Sequence, residues 1–506
     1  MFNGFSCAVG WNIFDKTSRH DAEMMMTKSI NMSDSRPKLH EMSAKTEGEL
    51  PGMTSLPKRY APLAFATGVA SLGGLLFGFD TAVIAGTTQA LSAFFHLSPI
   101  ALGLTVSCAL WGTVLGGLLA SFPGNRYGGR ASLRLTAILY FLSALGCAFA
   151  QHWTTFLMFR IVGGFAIGGC SVFGPMYVAE IAPAALRGRL VGCFQLSIVS
   201  GILLAYASND ILGRLQLGRA EWRYDLGVAA GPALFFFVAL RLIPDSARWL
   251  LKKGRLAEAT AALKKLGSTE PEAETQILLT ALAEESGLTK TSILAPAFRR
   301  PLAIALALGF FNQFSGINAV LYYLNAIFGR AGFSGLSAGR QAVWVGFANL
   351  LFTMAGMALI DRVGRKPLLL AGAAGMAAAL AGIAWLFFTG RHPGWLLPLL
   401  VLFIASFAIS QGAVVWVYLS EIFPSAVRES GQSVASAWLW LLTAIITGVF
   451  PRLAAVSGAY PFSLFAVAML AQFAVVVWLF PETKGRSLET IGAELELSKP
   501  TMQALF

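Results

Sequence analysis

The sequence predicts an all-α membrane protein of twelve transmembrane helices, arranged as two six-helix pseudo-repeats with a helical cytoplasmic linker between them. Three observations carry that prediction. The 506-residue chain is 56% hydrophobic and 13% charged, with a mean hydropathy of +0.65, whereas soluble domains carry about 25% charged residues. Its charges are clustered, leaving uncharged stretches at 161–179, 190–209, 301–329, 341–360, 367–390, 430–451 and 453–481. Each is near or above the roughly 18 to 20 residues that cross about 30 Å of hydrocarbon as a helix. The charged motifs also recur: NRYGGR at 125–130 returns as DRVGRK at 361–366, VAEIAPAALRGR at 178–189 as LSEIFPSAVRES at 419–430, and PDSARWL at 244 as PETKGRSL at 481.

Residues 1–58 are polar and methionine-rich, lack the apolar core and cleavage site of a signal peptide, and are expected to form a disordered cytoplasmic tail. Spans one to six follow at 61–91, 100–122, 132–150, 154–179, 188–209 and 225–243, divided by polar interruptions such as HLSP (96–99) and QHW (151–153). The N-terminal half is thus 59–243. Residues 244–298 are charged, proline-bounded and helix-forming, and read as a cytoplasmic linker with short helices. Spans seven to twelve at 301–329, 341–360, 367–389, 395–420, 430–450 and 460–480, with RHPG (391–394) as a divider, make a C-terminal half of 299–481 before a tail of 482–506. The motif offsets of 236, 241 and 237 residues agree closely enough to imply two halves in parallel orientation, a known duplication among secondary transporters.

Basic residues set the orientation. Arg126, Arg130 and Arg134 follow span two, Arg187 and Arg189 span four, Arg362, Arg365 and Lys366 span eight, and Lys484 and Arg486 span twelve. Those loops are expected in the cytoplasm, with both termini. The net charge of +12 therefore reads as membrane topology; no basic stripe with interleaved aromatics suggests a nucleic-acid partner. The five cysteines form no CxxC pair and read as small packing residues. No metal spacing, GxSxG or Walker sequence is present, so neither an enzyme nor a cofactor is expected.

The repeated charges have a mechanical reading. Glu180 with Arg187 or Arg189, Asp361 with Arg362 or Arg365, and Glu421 with Arg428 sit at helix ends on one side, together with Arg126. Ion pairs there can tie the halves together when the inside is closed and break when it opens; topology-setting surface charge is the plainer alternative.

RIVGGFAIGG (160–169), PMYVAEIAPAALRGRL (175–190), PDSARWL, QFSGINAVLYY (313–323), DRVGRK and PETKGRSLE together resemble the sugar porter family of major-facilitator transporters over about residues 60–490. The resemblance implies a monomeric carrier in the plasma membrane that moves a monosaccharide by alternating access, with the sugar between the halves near the bilayer midplane. A sugar presents hydroxyls and apolar C–H faces, so amides and aromatic rings inside spans are the groups to seek. They are Gln195 in span five, Asn312, Gln313 and Asn318 in span seven, Asn349 in span eight, and Trp416 and Trp440 in spans ten and eleven. The resemblance gives these positions sugar contacts, adds Phe77 and Gly412, and makes Tyr322 and Tyr323 an outer gate. Helix-to-helix hydrogen bonding is the alternative role for any one amide. Three departures bear on the substrate: Asn312 replaces the first of two glutamines, Ala413 a proline after Gly412, which implies a less broken span ten, and Leu439 a polar residue before Trp440.

Asp80, inside the apolar run GGLLFGFDTAVIAG (73–86), is expensive in a bilayer unless paired or functional. At 1.5 Å per residue it and Arg160 of span four fall at similar depth, on the order of 10 to 16 Å below the outer surface. The resemblance implies that the aspartate takes a coupling proton while pairing with this arginine; a permanent pair that only fixes helix packing is the other reading. Proton-coupled import, facilitated diffusion, polyol transport and sugar sensing thus all remain as expectations.

Overall fold

A computed structural model describes residues 60–183, 186–286, 292–423 and 427–484. The tail expected at 1–58 and most of that expected at 482–506 lie outside the described residues. All regular structure among the described residues is helical, and eleven helices are long and apolar enough to cross a membrane.

The helices follow the expected spans. Span one is Ala61–Phe95, two Pro99–Leu119, three Gly129–Phe149, four Trp153–Ile181 and five Arg187–Arg214. Spans eight, nine, eleven and twelve are Gly335–Val363, Arg365–Thr389, Arg428–Val456 and Ala459–Leu479. Span six differs: it is two short helices, Glu221–Gly227 and Ala230–Ala239. Pro232 has no N–H to give the Val228 carbonyl, which instead accepts from Gly231 at 3.1 Å, so the helix tightens and breaks there.

Spans seven and ten are irregular for different reasons. Span seven is cut into Arg299–Phe314, Ile317–Tyr322 and Leu324–Arg330. The first cut lies at Gly316, whose φ of +81° is left-handed. Span ten, where alanine at 413 implied a less broken helix, is not uniform. Its Leu396–Phe407 and Ala413–Ile422 helices flank a π turn over Ala408–Gly412, where the Ser410 hydroxyl donates to the Ser406 carbonyl at 2.6 Å.

The repeat extends to the backbone. Gly128 and Gly364, at the same place in the two copies of the first motif, have φ of +85° and +104° and start spans three and nine. Between the halves, the helices Ala247–Lys252, Leu256–Lys265 and Pro271–Ser286 share a small apolar core of Ala247, Leu250, Leu251, Ala259 and Ala262.

Without a hydrophobic drive between helices in lipid, small residues let backbones approach closely. Spans one and five meet in this way: a Cβ on Gly78 would stand 1.8 Å from the Ile198 carbonyl oxygen, and one on Gly201 2.1 Å from that of Leu75. At the end opposite the charged motifs, the same device seals the halves to each other. A Cβ on Gly103 of span two would meet the Gly448 oxygen of span eleven at 2.0 Å, and Tyr206 of span five donates to the Leu321 carbonyl at 2.8 Å.

Gly316 is the most exacting of these positions, since a Cβ there would also lie 2.2 Å from Cδ2 of Phe465. Gly316→Ala should therefore cost about 1–3 kcal/mol, seen as a lower melting temperature in detergent; an unchanged melt would show that the break in span seven does not need glycine.

Candidate functional site

Asp80 stands in the middle of span one, and Arg160 two turns into span four. They meet: Arg160 Nη1 lies 2.5 Å from Asp80 Oδ1, with the two side chains only 2% and 8% exposed. The contact is single. Arg160 Nε and Nη2 are buried without a hydrogen-bond partner among the described residues. The Tyr140 hydroxyl of span three faces the Asp80 carboxylate, a group the sequence reading missed. Its only signal was one phenol in the apolar run LTAILYFL.

Residues close to Asp80 reach the other half. Phe77, almost one turn earlier, packs edge-on against Trp440 of span eleven with ring centroids 5.3 Å apart. Thr81, the next residue, meets the hydroxyl of Tyr322. Tyr322 and Tyr323 are both buried; Tyr323 stacks on Phe450 at 5.1 Å and donates to the Thr447 carbonyl at 3.1 Å.

The span-seven amides form a chain. Asn318 Nδ2 donates to Gln313 Oε1 at 2.8 Å, and Gln313 Nε2 donates to Asn312 Oδ1 at 2.8 Å. The shorter asparagine at 312 thus receives a bond from its neighbour. The break at Gly316 permits this, turning Asn318 back toward Gln313. The two ends are an amide donor on Asn312 and a carbonyl acceptor on Asn318, which together match a hydroxyl that both accepts and donates. Asn349 is buried and Gln195 half-buried, and among the described residues no hydrogen bond ties either to this chain. Trp416, on the turn after the π segment and Gly412, is 44% exposed and leaves an open ring face. A second buried amide pair, Gln411 Nε2 to Gln472 Oε1 at 2.7 Å, joins spans ten and twelve beside the π turn and was not singled out from sequence.

At the motif end, the pairing differs from the sequence expectation. Arg365 takes Asp361 at 3.2 Å, as one alternative had it. Glu421, however, is held by Arg365 at 2.7 Å; the Arg428 side chain lies outside the described residues. Glu180 is not held by Arg187 or Arg189: Arg187 Nε donates to the Ala179 carbonyl at 3.2 Å, and Arg189 is exposed, as are Arg126 and Arg362. Arg187 is spent on a backbone carbonyl at the end of span four, whereas Arg365, at the first turn of span nine, reaches the carboxylate at the end of span ten.

Two further carboxylates organise this end. Arg130 pairs with Asp245 at 2.6 Å. Glu482 accepts from the backbone N–H groups of Arg365 and Lys366 at 3.0 and 2.9 Å, capping the N-terminus of span nine. Burial pushes its carboxyl up, but the N–H groups of Lys484, Arg365, Lys366 and Thr483 outweigh that and hold it below the ordinary carboxylate value.

The sequence matches the family described as "Sugar (and other) transporter" over residues 66–495. It is 37% identical over 466 residues to the D-xylose-proton symporter of Escherichia coli (strain K12), covering 84% of this chain and 94% of that protein. It is 36% identical over 429 residues to the arabinose-proton symporter of Bacillus subtilis (strain 168), covering 83% and 92%. Among solved structures it is similar to the inward open conformation of the xylose transporter XylE from E. coli, with a TM-score of 0.76, 34% identity and coverage of 85% of this chain and 98% of that one. The chain belongs to the sugar porter family of the major facilitator superfamily.

Proposed function

We propose that the chain imports a monosaccharide, of the pentose or hexose class, together with a proton by alternating access between its two halves. The observation that carries this reading is the Asp80–Arg160 pair, a buried and incompletely hydrogen-bonded ion pair whose neighbours Phe77 and Thr81 touch the opposite half. A carboxylate beside a guanidinium stays ionised; once that contact loosens in a dry environment, the same carboxylate takes a proton. Movement of spans seven and eleven against span one is therefore felt next to the titrating group. The likeness to the D-xylose-proton and arabinose-proton symporters supports the coupling and the sugar class.

In this reading the motif end is cytoplasmic, as are both termini, and the protein works as a monomer in the plasma membrane. The ion pairs Arg365–Asp361 and Arg365–Glu421 lie within the C-terminal half and Arg130–Asp245 ties the N-terminal half to the linker, while Gly103–Gly448 and Tyr206–Leu321 close the far end. That is the pattern of an inward-facing carrier. The sugar contacts are Gln195, the Asn312–Gln313–Asn318 chain, Asn349, Trp416 and Trp440, with Phe77 and Gly412 completing the wall and Tyr322 and Tyr323 as the outer gate. Arg126, Glu180, Arg187, Arg189, Asp361, Arg362, Arg365, Glu421 and Arg428 form the inner gate.

Asp80→Asn keeps shape but cannot exchange a proton. Vesicles carrying it should fail to accumulate sugar against its gradient under an imposed pH difference, while still equilibrating sugar across the membrane. Accumulation at the wild-type level by this variant would remove Asp80 as the proton carrier, and no accumulation by the wild type would favour a facilitator in which the pair only fixes packing.

Gln313→Ala takes the middle link from the amide chain. With a buried hydrogen bond worth about 0.5–1.5 kcal/mol, the half-saturating sugar concentration should rise roughly two- to tenfold with membrane insertion intact. Unchanged affinity in a well-folded variant would take the chain out of the sugar site.

A further inference from the structure

The π turn of span ten is received on three sides by residues that fit it. Residues 408–413 read AISQGA, so no proline takes an N–H from the turn. Spans eight and nine give the widened turn room. A Cβ on Gly356 of span eight would stand 2.9 Å from both the Ala408 carbonyl oxygen and Ile409 Cα, and one on Gly372 of span nine 1.9 Å from Ser410 Oγ. Span twelve adds a polar hold. Gln411 Nε2 donates to Gln472 Oε1 at 2.7 Å, and Met469 Sδ, one turn earlier on span twelve, lies 3.8 Å from the same nitrogen.

Both glutamines are buried, 1% and 0% exposed, yet Gln411 Oε1 and Gln472 Nε2 have no hydrogen-bond partner among the described residues. Two buried amides that share one bond add little stability. What the bond does supply is a fixed register for the helix that follows. In Ala413–Ile422, Val414, Val415, Tyr418 and Leu419 are buried, whereas Trp416 is 44% exposed. A π turn holds one residue more than an α turn, and each residue turns an α-helix by about 100°. Loss of the extra residue would therefore carry the Trp416 ring off its open face and bring Val415 or Val417 there instead.

We infer that the Gln411–Gln472 bond holds the π turn of span ten in the register that points the Trp416 ring at the sugar, which makes both glutamines positioning residues of the sugar site. The inference rests on the placing of Trp416 among the sugar contacts. Gln472 acts from span twelve through Gln411, and Gln411 acts through the backbone between it and Trp416, so their effect on sugar passes through one ring.

Gln411→Met and Gln472→Met together keep side-chain length and remove the bond. The register is read without sugar, from the rate at which a water-soluble maleimide labels Val415→Cys, Trp416→Cys and Val417→Cys, each in protein whose five cysteines have been replaced. With the glutamines present, position 416 should react faster than 415; with the methionine pair, the fast position should move to 415 or 417. The melting temperature should not fall, because replacing both partners of a buried polar pair by apolar side chains is close to neutral. With Trp416 in place, the methionine pair should raise the half-saturating sugar concentration roughly two- to tenfold, the size of one lost ring contact, and leave the maximal uptake rate unchanged. In Trp416→Ala protein the same pair should add nothing further. An unmoved labelling pattern in folded protein overturns the inference, as does an affinity loss that persists in Trp416→Ala protein. Gly356→Ala, which drives a Cβ against the Ala408 carbonyl, should move the labelled position in the same way and carries the test if the methionine pair does not fold. A moved pattern with unchanged sugar affinity would instead take Trp416 out of the sugar site and contradict the reading on which the inference rests.

Discussion

A carboxylate and a guanidinium buried together inside the N-terminal half set the terms for the rest of the molecule. Taken out of water singly, Asp80 or Arg160 would each cost several kcal/mol. As a pair they meet through one 2.5 Å contact, while two further nitrogen atoms of Arg160 remain unpartnered. The pair is therefore held but not saturated. A fully bridged arginine would keep its carboxylate ionised in every state; a pair with one contact can be loosened by small shifts of span one against span four.

Span one is built to transmit such shifts. Its glycines lie against the backbone of span five, which fixes it within its own half, while Phe77 and Thr81 on either side of Asp80 touch Trp440 and Tyr322 of the other half. Trp440 and Tyr322 belong to the spans that carry the aromatic and amide side chains of the candidate site. The candidate sugar site and the Asp80–Arg160 pair are thus connected through direct packing of one helix.

The architecture was legible in the sequence because the bilayer imposes long uncharged runs and because the charged motifs repeat. The meeting of Asp80 with Arg160 was legible from depth alone. Other features depend on direction, which depth does not fix. Arg365 holds Glu421, because the N-terminus of span nine faces the end of span ten, a contact that sequence proximity did not suggest; the expected pairing with Arg428 lies outside the described residues. Span six was read as one helix, and its two-piece form follows from the rearranged bonding at Val228 before Pro232. Tyr140 and the Gln411–Gln472 pair carry no motif, and only packing reveals their neighbours.

The central claim is that sugar movement and proton movement are one event. The direct measurement is external pH during sugar entry into de-energised vesicles containing the purified protein, with no gradient imposed. The account predicts that adding a transported monosaccharide raises the external pH in step with uptake, by about one proton for each sugar, since one carboxylate carries the coupling. Sugar entry with no accompanying proton movement would contradict it.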